Sequence, residues 1–237
     1  NKTGQFFFQA PPSIYYIPNF VSKDEEENIL HHVYSAPKPK WTQLSNRRLQ
    51  NWGGLPHPKG MVTEDIPQWL TLYIKRIADI GIYGDKIPNH VLVNEYQTGQ
   101  GIMPHEDGPL FYPTVSTISL GSHTLLDFYY PMSSNSDSSS LLQDKGDTCS
   151  STALNERYFC SVLLEPRSLL LVCDDMYKVY LHGIAERTKD VITNKVVNLD
   201  QCTDVASGCT VQRTTRVSLT IRHVQKILKS KVLLGKR

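Results

Sequence analysis

The sequence predicts a mainly β fold with N-terminal helices, built on a double-stranded β-helix, or jelly-roll, core. Three observations carry that prediction. From His90 onward, short segments rich in Val, Ile, Leu, Thr and Tyr recur between clusters of Gly, Pro and Ser. Apart from a short stripe at the C-terminal end, helical periodicity is confined to the part before residue 80. The chain has 237 residues, 40% of them hydrophobic, which suits one β domain with additions and a sizeable core.

Residues 13–17, bounded by prolines, read as a short strand. Ser22 and Glu25 then form a capping box, and Asp24, Glu25, Glu26 and Glu27 sit where the helix dipole favours acids. With Ile29, Leu30 and Val33 as the apolar face, a helix is expected over 22–35, ended by Pro37 and Pro39. The acidic run is therefore read as helix chemistry, not as a metal site. The stretch from Trp41 to Gly54 mixes aromatic, basic and amide side chains before a Gly53-Gly54 turn. It reads as a strand pair. The alternative is a rim that stacks bases and meets phosphates through Trp41, Arg48 and Trp52. A second helix is expected over 63–79, started by Thr63-Glu64-Asp65, with Ile66, Leu70, Ile74 and Ile77 at helical spacing and Gly81 and Gly84 as breakers.

Eight strands follow, near 91–97, 101–107, 114–120, 123–130, 159–165, 168–173, 178–184 and 212–224. Two polar insertions interrupt them. The Ser-rich segment 131–158 has too little apolar content to order itself and is expected to be mobile, and 186–211 is a second insertion. From Val205 to Arg237 there is no Asp or Glu. Val224, Ile227, Leu228 and Leu233 suggest a basic helix packed on the barrel, with a phosphate-facing patch as the alternative. The expected organisation is a supporting N-terminal extension and recognition lid (1–89), a core (90–224) and a basic tail (225–237). A net charge of +2 gives no argument for a nucleic-acid partner. Five cysteines without paired spacing point to a reducing compartment, and no apolar run reaches membrane-spanning length. A monomeric protein of nucleus and cytoplasm, with no membrane partner, is the expectation.

The chemistry centres on His105 and Asp107. Two apart on an extended segment, they point the same way, so that an imidazole and a carboxylate can meet at one metal ion. A further histidine would complete a 2-His-1-carboxylate face, which suits non-haem Fe(II). Alone, the pair reads first as a surface turn. Asn94 and Tyr96 also alternate on one strand face, as do Arg216, Ser218, Thr220 and Arg222. Turned into a barrel, two arginines need an anionic partner, and a bound dicarboxylate would supply it. His182, beside Gly183 in an apolar strand, is the third ligand candidate, although such a histidine is commonly a core residue. His90 and His223 are weaker rivals.

Asn94-Glu95-Tyr96, His105-Glu106-Asp107, Ile118-Ser119-Leu120-Gly121, His182 and the Arg216–Arg222 run occur in the order found in the AlkB family of Fe(II)- and 2-oxoglutarate-dependent dioxygenases. The resemblance covers residues 90–224, and the stretches 36–44 and 51–58 resemble a member of the same family. It implies that His105, Asp107 and His182 hold Fe(II). It implies that Arg216 forks onto the distal carboxylate of 2-oxoglutarate, with hydrogen bonds from Asn94 and Tyr96. Ser218 and Thr220 share that motif, and Arg222 lies near the C1 end or supports the aspartate. Dioxygen is the other co-substrate, and methylated or alkylated bases of DNA or RNA are the substrates implied. Phe111 and Tyr112 join Trp41, Arg48 and Trp52 as substrate-contact candidates. One departure stands out: Ser218 occupies the place where Asn is usual, and its reach is shorter. The alternatives are the same iron chemistry on a protein or small molecule, and a nucleic-acid-binding jelly roll with little or no catalysis.

Overall fold

Alternating apolar residues build two facing antiparallel sheets. The structure, a computed structural model, describes residues 8–9, 13–132, 154–203 and 205–228. The larger sheet has eight strands in the order Phe8–Gln9, Ile14–Ile17, Leu169–Cys173, Thr114–Leu120, Arg216–Arg222, His90–Tyr96, Arg47–Trp52 and Thr42–Leu44. The smaller runs Tyr158–Leu164, Thr124–Tyr129, Leu181–Ile184, Ile102–His105. The eight strands expected between residues 91 and 224 are all present, four in each sheet, as a jelly-roll core requires.

The large sheet is buried on both faces, which explains its mixed strands. Val91, Val93, Ile118, Leu120, Leu219 and Ile221 point outward, where Ile29 and Val33 of the helix Lys23–Tyr34 and Leu70, Ile74 and Ile77 of the helix Gln68–Ala78 cover them. The alternate positions point between the sheets. Every residue of Arg216–Arg222 is consequently buried, polar ones included.

The first helix starts as its capping box dictates. Ser22 Oγ accepts from Glu25 N at 3.1 Å, and Ser22 N donates to Glu25 Oε2 at 2.8 Å. Glu26 in its acidic turn does more than favour the dipole: buried, it accepts from Gly121 N and Arg167 Nη1 and so ties helix to sheet. The second helix begins at Gln68, later than the Thr63 signal. Pro67 keeps Ile66 out of helical backbone and itself occupies the N-cap, while Thr63 bridges Gly54.

Of the expected strand 178–184 only Leu181–Ile184 is extended, after a helical turn Asp174–Lys178, and of 212–224 the strand is Arg216–Arg222, after a separate short strand Thr210–Gln212. The expected basic helix is not formed where it is described. Ile227–Leu228 instead pairs parallel with Met61–Val62, and Leu233 and the residues from 229 lie outside the described residues. Most of the Ser-rich insertion (133–153) also lies outside them. The 186–211 insertion is anchored against the outer face of the small sheet. Ile192 and Val196 pack on Leu125 and Leu163, and fully buried Asp190 accepts a two-bond fork from Arg213, both bonds 2.7 Å. No helix among the described residues is long and apolar enough to cross a membrane.

Candidate metal and co-substrate site

Two glycines let two strands close on each other. A Cβ at Gly183 would lie 2.9 Å from Ile102 O and Pro104 N, and one at Gly101 would lie 2.2 Å from Ile184 O. Across this tight pair His182 stands directly opposite His105, with ring centroids 4.6 Å apart. Asp107, just past the end of its strand, brings Oδ1 to 3.9 Å from His105 Nε2. One ligand atom from each of His105, Asp107 and His182 lies within 4.8 Å of the others, as binding to a single ion requires.

The protonation states suit a metal. His105 Nδ1 lies 2.9 Å from Met103 O, so Nδ1 carries the proton and Nε2 presents its lone pair to the cluster. Burial pushes His182 down to about 4, with Asp107 opposing, so the ring is the neutral, ligating form at physiological pH. Its Nδ1 is buried without a hydrogen-bond partner among the described residues. For Asp107, burial favours the neutral acid, but the Arg222 guanidinium outweighs it and holds the carboxyl below its usual range. Arg222 forks onto it, Nη2 to Oδ1 at 2.6 Å and Nε to Oδ2 at 3.2 Å.

A cavity of about 180 Å³ between the sheets opens beside this cluster. Its polar lining is Arg47, Asn94, Tyr96, Thr117, Arg216, Ser218, Thr220 and Arg222, facing Leu126, Leu164, Leu170 and Val172. Arg216 is 4% exposed and has no carboxylate partner among the described residues. Its Nη2 donates to Ser119 Oγ at 2.9 Å, its guanidinium lies 5.7 Å from the Tyr96 ring, and its Nε is orphaned. Burial lowers it to about 10, which leaves it charged at neutral pH. A buried unpaired guanidinium is costly unless an anion meets it. The residues therefore fit both groups the resemblance implies: neutral imidazoles and an ionised carboxylate for Fe(II), and an orphaned guanidinium for a dicarboxylate.

The five substrate-contact candidates do not line the cavity. Arg48 forks onto Glu95 at 2.7 and 2.8 Å and stacks over Trp41, 4.1 Å from ring centre. Trp52 packs edge-on to Trp69 under Lys40. Phe111 is core, with Arg222 4.7 Å from its centroid, and Tyr112 packs on Tyr83. Of the rival histidines, His90 is buried and bonds Asn51, and His223 bonds the Ile87 carbonyl. Arg47, which sequence reasoning missed, does line the cavity. Its only local signal was period-two spacing on a hairpin whose neighbouring strand begins at His90.

A family model described as the 2OG-Fe(II) oxygenase superfamily matches residues 13–222. A "Probable RNA/DNA demethylase ALKBH6" of Danio rerio is 53% identical over 229 residues, covering 97% of this chain and 93% of that protein. A "tRNA (carboxymethyluridine(34)-5-O)-methyltransferase alkbh8" of Xenopus tropicalis is 25% identical over 91% of this chain, which spans 32% of that longer protein. A solved structure described as "The structure of OsALKBH1" shares the fold, with TM-score 0.56 at 14% identity over 92% of this chain and 100% of that one. A family match along most of the chain, together with a relative more than half identical along nearly all of it, makes this chain an Fe(II)- and 2-oxoglutarate-dependent dioxygenase of the AlkB family, within the 2OG-Fe(II) oxygenase superfamily.

Proposed function

We propose that this dioxygenase removes methyl groups oxidatively from alkylated bases in DNA or RNA. The supporting observation is the His105–Asp107–His182 cluster sharing one cavity with unpaired, buried Arg216, in a chain 53% identical to a protein described as a probable RNA/DNA demethylase. Bound there, Fe(II), 2-oxoglutarate and dioxygen supply hydroxylation of a methyl carbon, after which an N-methyl base sheds formaldehyde and the co-substrate leaves as succinate and carbon dioxide.

The chain's own residues do the rest. His105, Asp107 and His182 would hold the metal, and Arg222 keeps Asp107 ionised. Arg216 would pair the distal carboxylate, Tyr96 and Asn94 flank it, and Leu126, Leu164, Leu170 and Val172 exclude water from that end. At the cluster's own end, Tyr130 and Tyr180 lie one pleat beyond Phe128 and His182 and pack with Phe159, ring centroids 4.6 to 5.8 Å apart. These rings join Trp41, Arg48, Trp52, Phe111 and Tyr112 as candidates for base stacking.

On this reading residues 90–224 are the oxygenase core, 1–89 its extension and lid, and 225–237 a basic tail. The protein acts as a monomer in nucleus and cytoplasm, a placement that sedimentation and cell fractionation test. The deciding experiment incubates the iron-loaded enzyme with total cellular RNA and DNA and follows modified nucleosides by mass spectrometry. A methylated nucleoside should decline with matching succinate, and the His105→Ala/Asp107→Ala variant should leave it untouched. Equal turnover by that variant would remove the site assignment.

A further inference from the structure

Arg47 enters the cavity from outside the jelly roll. It begins the strand Arg47–Trp52, which pairs with His90–Tyr96 so that Arg48 faces Glu95 and Leu49 faces Asn94. Arg47 therefore falls beside Tyr96, one position on. Tyr96 in turn pairs with Arg216 on its other side. Paired residues of neighbouring strands share a face, and the strands are about 4.8 Å apart, so Arg47 and Arg216 flank Tyr96 within one rung facing the cavity.

The charges in this rung are not balanced by protein. Arg222 is neutralised by Asp107. Neither Arg47 nor Arg216 has a carboxylate partner among the described residues, and Arg47 is half-buried. Arg47 Nε donates to Asn94 Oδ1 at 3.2 Å, which turns the Asn94 amide nitrogen, a donor, to the remaining side. Directly across from Asn94 stands Ser218, whose hydroxyl reaches less far than an amide or guanidinium.

We infer that Arg47 is a second guanidinium for the distal carboxylate of 2-oxoglutarate, acting with Arg216 and orienting Asn94. This rests on the reading of the cavity as the co-substrate site. It makes Arg47 a residue that selects a dicarboxylate over a monocarboxylate, and it makes the hairpin part of the co-substrate pocket.

The test is calorimetric titration of the full chain loaded with Mn(II), without nucleic acid. Arg47→Ala should weaken 2-oxoglutarate binding roughly 10- to 100-fold, the loss of a charge-assisted contact, with Arg47→Lys recovering part of it. Oxalate, which chelates the metal and has no distal carboxylate, should bind wild type and both variants alike. Unchanged 2-oxoglutarate affinity in Arg47→Ala would overturn the inference. So would an equal loss of oxalate binding, which points to the metal end, or a loss confined to single-stranded RNA or DNA in a parallel gel shift, which points to a phosphate contact. Wild type that fails to bind 2-oxoglutarate would instead remove the co-substrate reading, and this inference with it.

Discussion

Asp107 owes its charge to Arg222 more than to water. Its side chain is 4% exposed, and the fork from Arg222 keeps it ionised against burial. Arg222→Met removes that support while filling similar space. Metal affinity at neutral pH should fall about 10- to 100-fold and recover as pH rises, measured by Mn(II) titration followed by electron paramagnetic resonance. His90 shows the opposite sign of control. Burial, reinforced by Arg222, pushes it down to about 3 from 6.5. An unfolded chain takes up that proton below about 6.5 and the folded chain does not, so stability falls as pH drops from there to about 3. Between pH 7 and 5 wild type should lose roughly 2 kcal/mol more stability than His90→Asn, measured by urea unfolding. Some of this was legible in the sequence. The inward set Arg216, Ser218, Thr220 and Arg222 was readable because alternation is local. Arg47 was not, because its place depends on a strand more than forty residues later.

The ligand-bearing strands depend on their glycines. Gly183 has no room for a Cβ against the backbone of Ile102 and Pro104, and backbone cannot swing aside as a side chain can. Gly183→Ala should push Ile102–His105 away from Leu181–Ile184 and separate His105 from His182. The expected result is a folded protein with near-normal circular dichroism that has lost tight Mn(II) binding. Elements were legible where their signals were local. The Ser22–Glu25 box and the eight core strands are such cases. The second helix misled because Thr63-Glu64-Asp65 carries a start signal that Pro67 overrides. The C-terminal stripe misled because Ile227 and Leu228 are drawn into parallel pairing with Met61–Val62, a partner no local pattern announces.

The order of strands, unlike their existence, was not legible. Nothing within Arg47–Trp52 says that it extends the large sheet past His90–Tyr96, or that Ile14–Ile17 extends it past Leu169–Cys173. Those pairings, with the short strands beyond them, turn the four core strands of this sheet into an eight-stranded wall that both helices cover. The small sheet received no such extension. It ends on Ile102–His105, a four-residue strand in which Pro104 has no N–H to donate and Met103 is 71% exposed. This margin is held by one neighbouring strand, by the Arg222 fork onto Asp107 just past its end, and by whatever bridges His105 to His182. An ion bound there acts as a rivet, and its binding energy adds to the stability of that margin. Chelator-treated protein should come apart here first, so limited proteolysis should cut between residues 99 and 109 in the chelated sample and spare that segment once Mn(II) is restored. Cleavage there at equal rates in both samples would show the margin holding without the rivet. Otherwise, a shortage of metal would shorten the survival of the protein among proteases as well as slow its chemistry.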